Sequence, residues 1–357
     1  MYVAFPSLKQ QERLAGLPNL IASSVLFDPH TLIRSVGEHN VRSLRLTTIL
    51  ARPAYLLQTM EGDFHTVFAD TGESLPEITS ERALLAAQSF YFNAQPEQAS
   101  MLGPQPSVVK SNIDIDQWSV SSSLNPHRPL HKVELNDMEK THLYVSTVSG
   151  QVVRDTTRHE RLWNWLGANI HWIYPVQLRQ HSAIWHWAVV ILSSLGMIAV
   201  LTGGTVGLLR VRVYKRYRGT DITPYRGVSK YHHILGLMFF VFLLTYITSG
   251  LLSMNPFEVF SSSESCQISE RLYAGDLPKN SSVFRRDNLS SLIQRNDNLK
   301  EIRFYWVGGA VYPIGINQNT RGLLKRDGDP INELAEYAVS IACAMQCRSC
   351  NFARNLA

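Results

Sequence analysis

The stretch HSAIWHWAVVILSSLGMIAVLTGGTVGLLR, residues 181–210, decides how the rest of the chain is read. From Ala183 to Leu209 it carries no formal charge, and it exceeds the roughly 20 residues that a spanning helix needs at 1.5 Å per residue. A second run, ILGLMFFVFLLTYITSGLLSM over Ile234–Met254, is also long enough, whereas LPNLIASSVLF near the start is too short and too polar. Mean hydropathy of the chain is −0.08, so its apolar content is concentrated in these two runs. Two such runs around one short polar connection predict a transmembrane helical hairpin, with spans of about 183–209 and 233–254, over two buried core helices.

Charge orients the hairpin. The net charge of +5 would suit a nucleic-acid ligand if it were spread over a domain. It is instead confined to the connection RVRVYKRYRGTDITPYRGVSK, where Arg210, Arg212, Lys215, Arg216, Arg218, Arg226 and Lys230 face only Asp221. No nucleic-acid partner is expected. Lys and Arg in short loops stay cytoplasmic, so the basic loop 210–230 anchors the topology and touches anionic lipid. Both soluble parts then lie outside, in the periplasm of a bacterium. No leader or apolar helix precedes residue 182. The expectation is therefore a chain that has lost an N-terminal span.

Outside the hairpin, three regions share a plan of two short strands and a glycine-bearing corner: around 44–75, 131–153 and 299–331. ADTG, TVSG and RDGD supply residues that tolerate left-handed turn geometry. PHTLIRSVGEH precedes the first as a candidate helix, RDNLSSLIQRN precedes the third, and TSERALLAAQSFY (79–91) fits an N-capped amphipathic helix. The expected fold class is an α+β membrane protein, a transmembrane hairpin carrying extracytoplasmic helix-plus-β-hairpin modules. Its expected divisions are 1–158 (modules at about 29–78 and 79–158), a Trp-rich interfacial segment 159–180, the hairpin 181–257, a further module 258–333, and a tail 334–357. Cys266, Cys343, Cys347 and Cys350 all follow the second span. A disulfide suits the oxidising compartment better than an iron–sulfur cluster on the closing CAMQCRSC.

Five of the seven tryptophans, Trp163, Trp165, Trp172, Trp185 and Trp187, gather just before and inside the first span, where amphipathic rings mark a membrane interface. A helix from about Glu160 to Trp172, ended by Pro175, is expected there. Of twelve histidines, seven are scattered through the soluble part. His171, His181, His186, His232 and His233 sit at or inside a membrane boundary, where ionisable groups tend to mark function. A neutral imidazole is a good axial ligand to haem iron, and a carbonyl or lipid contact is the plainer role. His186 and His233 belong to opposite faces, about 30 Å apart, so haem would need two sites. His171 and His186 would serve the outer one, and His233 the inner one with a partner from a missing helix. Gly203, Gly204, Gly207 and Gly236 either let the helices pack closely or admit a flat macrocycle.

YVSTVSGQVVRDTTRHERLWNWLGANIHWIYP, the span with WHW, YHHILGL and SGLLSMNPF resemble the PepSY-associated transmembrane proteins of Gram-negative bacteria. The likeness covers roughly 36–333, most clearly 131–257. It implies PepSY-like periplasmic modules and an inner-membrane location. It also implies haem b held by His171, His186 and His233, in up to two sites, the inner one incomplete. The family's N-terminal helix and final helix have no counterpart here. On this resemblance the chain would carry electrons from a cytoplasmic donor or quinol to ferric-siderophore iron. The alternative is a non-enzymatic tethered module that binds peptides or regulates a protease or envelope sensor. A hydrolase is disfavoured, since there is no nucleophile elbow and no H-E-x-x-H run.

Overall fold

The computed structural model describes residues 8–94, 107–211, 222–259 and 275–324, except Lys279, Asp297 and Gly308. Cys266, Cys343, Cys347, Cys350, Arg212, Lys215, Arg216, Arg218 and the RDGD corner lie outside the described residues. The fold is α+β, in two units: Met1–Gly167 with Ser265–Ala357, and Ala168–Glu264.

In the first unit, a six-stranded antiparallel sheet has the order β10-β9-β8-β1-β2-β3. Its strands are β1 (Val41–Ile49), β2 (Arg52–Thr59), β3 (Phe64–Phe68), β8 (Glu301–Val307), β9 (Ala310–Ile316) and β10 (Arg321–Leu323). Two helix-then-hairpin segments meet in it. Helix α2 (His30–Val36) precedes β1, helix α8 (Arg286–Gln294) precedes β8, and the leading strands β1 and β8 pair antiparallel. Leu44 stands opposite Phe304, Arg45 opposite Arg303 and Leu46 opposite Ile302. One sheet is therefore built from chain on both sides of the long apolar helices.

Alternation along the strands sends Leu44, Leu46, Ile302 and Phe304 to one face. There they form one core with Leu32 and Ile33 of α2 and Leu289, Leu292 and Ile293 of α8. The α8 residues recur at i, i+3 and i+4, a helical apolar stripe, and each contributes about 1.5–3 kcal/mol when fully buried. The opposite face carries Arg45, Glu301, Arg303 and Tyr305. Helix α1 (Gln10–Ala15) adds Leu14 to a small cluster there with Tyr305, Ile314 and Ile316.

A second, four-stranded sheet runs β4 (Ser107–Ile113), β5 (Leu130–Glu134), β6 (His142–Ser146), β7 (Val152–Thr156). Helix α3 (Ser80–Ala94) covers it with Ala83, Ala86, Ala87, Phe90 and Tyr91, spaced for one helix face. Gly72 and Gly150 take the left-handed turn geometry their motifs suggest, at φ +75° and +67°. Helix α4 (Arg158–Asn164) starts on a capping box, Thr157 with Glu160, and continues as a π-helix over Trp165–His171. The segment expected as one helix from Glu160 to Trp172 thus changes its winding at Trp165.

The second unit holds helix α5 (Val176–Arg179) and two long helices, α6 (Ser182–Arg210) and α7 (Val228–Ser253). The long pair, 29 and 26 residues with mean hydropathy 2.0 and 2.1, are long and apolar enough to cross a membrane. Isoleucine and leucine side chains stay exposed along both, with Phe239 and Phe242 on α7, as suits a lipid-facing surface. They pack antiparallel: Met197 meets Thr248, Gly204 meets Phe240, and Gly207 meets Leu237.

Candidate functional site

The imidazoles singled out by the sequence fall at different points of the second unit. Trp185 organises the end where α6 begins. Its indole N–H donates to the carbonyls of Ile173 at 2.9 Å and Trp172 at 3.2 Å. The buried Arg179 guanidinium lies over both Tyr174 and Trp185, at 4.9 and 4.8 Å. Pro175 precedes α5, so the chain turns there into α6. His171 is exposed and shares a 3.1 Å hydrogen bond, through Nε2, with the Tyr246 hydroxyl of α7. His186 packs edge-on to Trp187 at 5.5 Å. Among the described residues, no hydrogen bond or ring contact joins His171 to His186.

His233 is fixed at both ring nitrogens. Nε2 lies 2.9 Å from the Gly207 carbonyl, so in the neutral ring it carries the proton and donates. Nδ1 then accepts from the Thr223 hydroxyl at 2.7 Å, and the Tyr225 ring stands edge-on at 5.3 Å. The ring is 8 % exposed. It latches the segment entering α7 to the last turns of α6.

A haem iron would need a free nitrogen on its axial imidazole. At His233, both are engaged. The nearby glycines are filled as well: a Cβ at Gly204 would stand 2.1 Å from the Phe240 ring, and one at Gly207 3.0 Å from Leu237. Among the described residues, the His233 ring is thus held between the Gly207 carbonyl and the Thr223 hydroxyl, with Phe240 and Leu237 packed against the glycines of α6. Gly203 and Gly236 have open space beside them. Among the described residues, no hydrogen bond engages His171 Nδ1 or either ring nitrogen of His186.

The first unit holds a charged cluster that the sequence reading passed over. Glu301, fully buried at the start of β8, receives Arg13 Nη1 from α1 at 2.8 Å and Arg303 Nε at 2.5 Å. Arg45 Nη1 lies 3.8 Å away, and its Nη2 donates to Gln151 Oε1 at 2.7 Å. Burial alone would raise the Glu301 carboxyl; Arg13, Arg45 and Arg303 outweigh it and hold it well below the usual range. Burial lowers Arg45 to about 10, with Glu301 opposing that shift. Three guanidinium groups around one carboxylate leave two positive charges in excess.

This cluster borders a cleft that is open to solvent. Arg13, Ser89 and Gln151 give it polar groups; Leu17, Leu50 and Phe90 give it apolar walls. Leu50 and Ala51, which also line it, form the β1–β2 turn with φ of 52° and 61°. The available signal was charge at inward positions of strands that otherwise read as core: Arg45 in LRLTTIL and Glu301 with Arg303 in EIRFYW. Among the described residues, no group of three or more His, Cys, Asp or Glu could hold a metal ion.

In chain order, the segment carrying α6 and α7 falls between strands β1–β3 and strands β8–β10 of the larger sheet of an α+β unit. No family model, curated protein or solved structure matches the chain.

Proposed function

We propose that this protein is a membrane-tethered binding module of the bacterial inner membrane, its α+β unit periplasmic and its hairpin the anchor. The observation that carries the reading is the pairing of β1 with β8. Strands hydrogen-bonded in one sheet lie on one side of a bilayer, so the chain between them crosses an even number of times, and α6 and α7 supply two crossings. The basic connection supports a cytoplasmic loop with the sheet outside. The ligand side is then the first unit, where a buried charge cluster borders an open cleft, and a peptide is the ligand class the reading favours. Extraction of expressing cells with alkaline carbonate tests the anchor: the chain stays in the membrane pellet. Release into the supernatant contradicts the reading.

A second reading draws on the resemblance and on the ring nitrogens of His171 and His186 that no hydrogen bond engages among the described residues: a haem b protein passing electrons from a cytoplasmic donor or quinol to ferric-siderophore iron. His171 and His186 would hold the haem, which would supply one-electron transfer, and the Tyr246 hydroxyl would orient the His171 ring. A dithionite-reduced minus oxidised spectrum of the detergent-purified chain tests it. Sharp b-type bands lost on His186→Ala support haem, and a colourless folded protein removes it.

A further inference from the structure

We propose that residues 168–173 form a lipid contact in the outer leaflet, with Ile170 and Ile173 set against acyl chains at its boundary. The inference rests on the tethered-module reading and deepens it, since a third segment besides α6 and α7 then meets the bilayer. Depth is the first support. The uncharged run Ile234–Met254 has about the length that crosses 30 Å of hydrocarbon, so its end marks the outer boundary. Tyr246 precedes the end of α7, at Ser253, by roughly 10 Å at 1.5 Å per residue. A tyrosine side chain is shorter than that. The 3.1 Å hydrogen bond between its hydroxyl and His171 Nε2 therefore lies inside the boundary, whichever way the ring points. Trp185, in the first turn of α6, ties the next two residues through their carbonyls.

Backbone pairing is the second support, because a segment enters hydrocarbon only with its polar groups satisfied. The Trp172 N–H donates to the Ala168 carbonyl at 3.0 Å, and the carbonyls of Trp172 and Ile173 accept from the Trp185 indole. The side chains sort the same way. Ala168 and Tyr174 are buried, whereas Ile170 is 60 % and Ile173 36 % exposed. No Asp, Glu, Lys or Arg occurs between Arg161 and Arg179, so the segment brings no formal charge to the lipid. Ile173 also takes left-handed backbone at φ 52°, a costly geometry for a β-branched residue. Water around its side chain would add to that cost, and acyl chains remove it. The occupant is lipid rather than protein because the surface continues onto the exposed side of α7. Tyr246 is 62 % exposed, and Phe239, Phe242 and Leu243 stand one and two turns before it on the same side, exposed as well.

The experiment places single nitroxide-labelled cysteines in the full chain, its four native cysteines replaced by serine, in phospholipid vesicles. Ile170→Cys and Ile173→Cys carry the test. Leu195→Cys on α6 is the lipid reference and Met138→Cys the water reference, and all four positions are exposed, so the labels spare the core. Power saturation compares access to oxygen, which concentrates in lipid, with access to a water-soluble nickel chelate. The proposal expects both isoleucine positions to follow Leu195→Cys, with oxygen access at least threefold above nickel access, and Met138→Cys to show the reverse order. Nickel access at Ile170→Cys and Ile173→Cys equal to that at Met138→Cys overturns the proposal, and the anchor still stands if Leu195→Cys reads as lipid. Exclusion of both reagents from the two positions shows that a second copy or another protein covers them, which equally overturns it. Nickel access at Leu195→Cys overturns the tethered-module reading and the proposal with it.

Discussion

Arg45 of β1 stands directly opposite Arg303 of β8 at the seam of the six-stranded sheet. Like charges paired across strands are destabilising. The seam closes because Glu301, two residues before Arg303 and on the same face, lies against both guanidinium groups. Removing the carboxylate leaves buried cations without their counter-charge, at a cost of about 3–5 kcal/mol. Glu301→Gln is expected to lower the thermal unfolding midpoint sharply, with the loss seen by tryptophan fluorescence in detergent. A midpoint within a degree or two of the parent would mean the seam is held by its apolar pairs alone.

Ala51 occupies left-handed backbone at φ +61° in the β1–β2 turn. Such geometry costs an L-residue about 1–2 kcal/mol and costs glycine little. Ala51→Gly is therefore expected to stabilise the chain by roughly 1 kcal/mol, after the added freedom of glycine in the unfolded state is deducted. Chemical denaturation measures it. Destabilisation would show that the alanine methyl contributes packing that outweighs the strain.

His233 bonds the Gly207 carbonyl and the Thr223 hydroxyl at once, and the latch holds the segment that contains Arg226. His233→Ala leaves two buried groups unpartnered, about 1–3 kcal/mol each. Trypsin cleavage after Arg226, followed by mass spectrometry, is expected to quicken several-fold. His233→Gln, which keeps a donor and an acceptor, should restore much of the protection. Equal cleavage in all three proteins would remove the latch.

Acid sensitivity has a specific source in the first unit. Burial, with Arg45 adding repulsion, lowers His127 to about 4, against an ordinary value near 6.5. Between those values the unfolded chain binds the proton and the folded chain does not, so stability rises with pH through that window and is lost as pH falls. The contribution is on the order of 3 kcal/mol. Wild-type unfolding midpoints should drop between pH 6.5 and 4 more steeply than those of His127→Gln. Parallel profiles would place the acid sensitivity elsewhere.

Local signals were read well where a short window contains the whole cause. The apolar runs became α6 and α7, TSERALLAAQSFY became α3, and the helices ahead of the first and third hairpins became α2 and α8. Each depends on periodicity, caps or turn residues within a dozen positions. The union of the first and third hairpins was not legible, because strand pairing leaves no local mark and its partners here are separated by the whole apolar hairpin. The Glu301 cluster was hidden for the same reason, since Arg13, Arg45 and Glu301 come from α1, β1 and β8. His233 showed the opposite limit. An imidazole inside an apolar run signals a polar partner, but the run does not say whether that partner is iron or a backbone carbonyl.

The central claim is that both flanks of the hairpin lie on one side of the membrane and the basic connection on the other. Single cysteines at Met138 before the hairpin, Gln318 after it and Arg226 within the connection, all exposed, test this most directly in a chain with its four native cysteines replaced by serine. A membrane-impermeant maleimide applied to intact bacterial spheroplasts should label the Met138→Cys and Gln318→Cys chains, and the Arg226→Cys chain only after permeabilisation. Labelling of Arg226→Cys in intact spheroplasts, or of only one of the other two, would contradict the account.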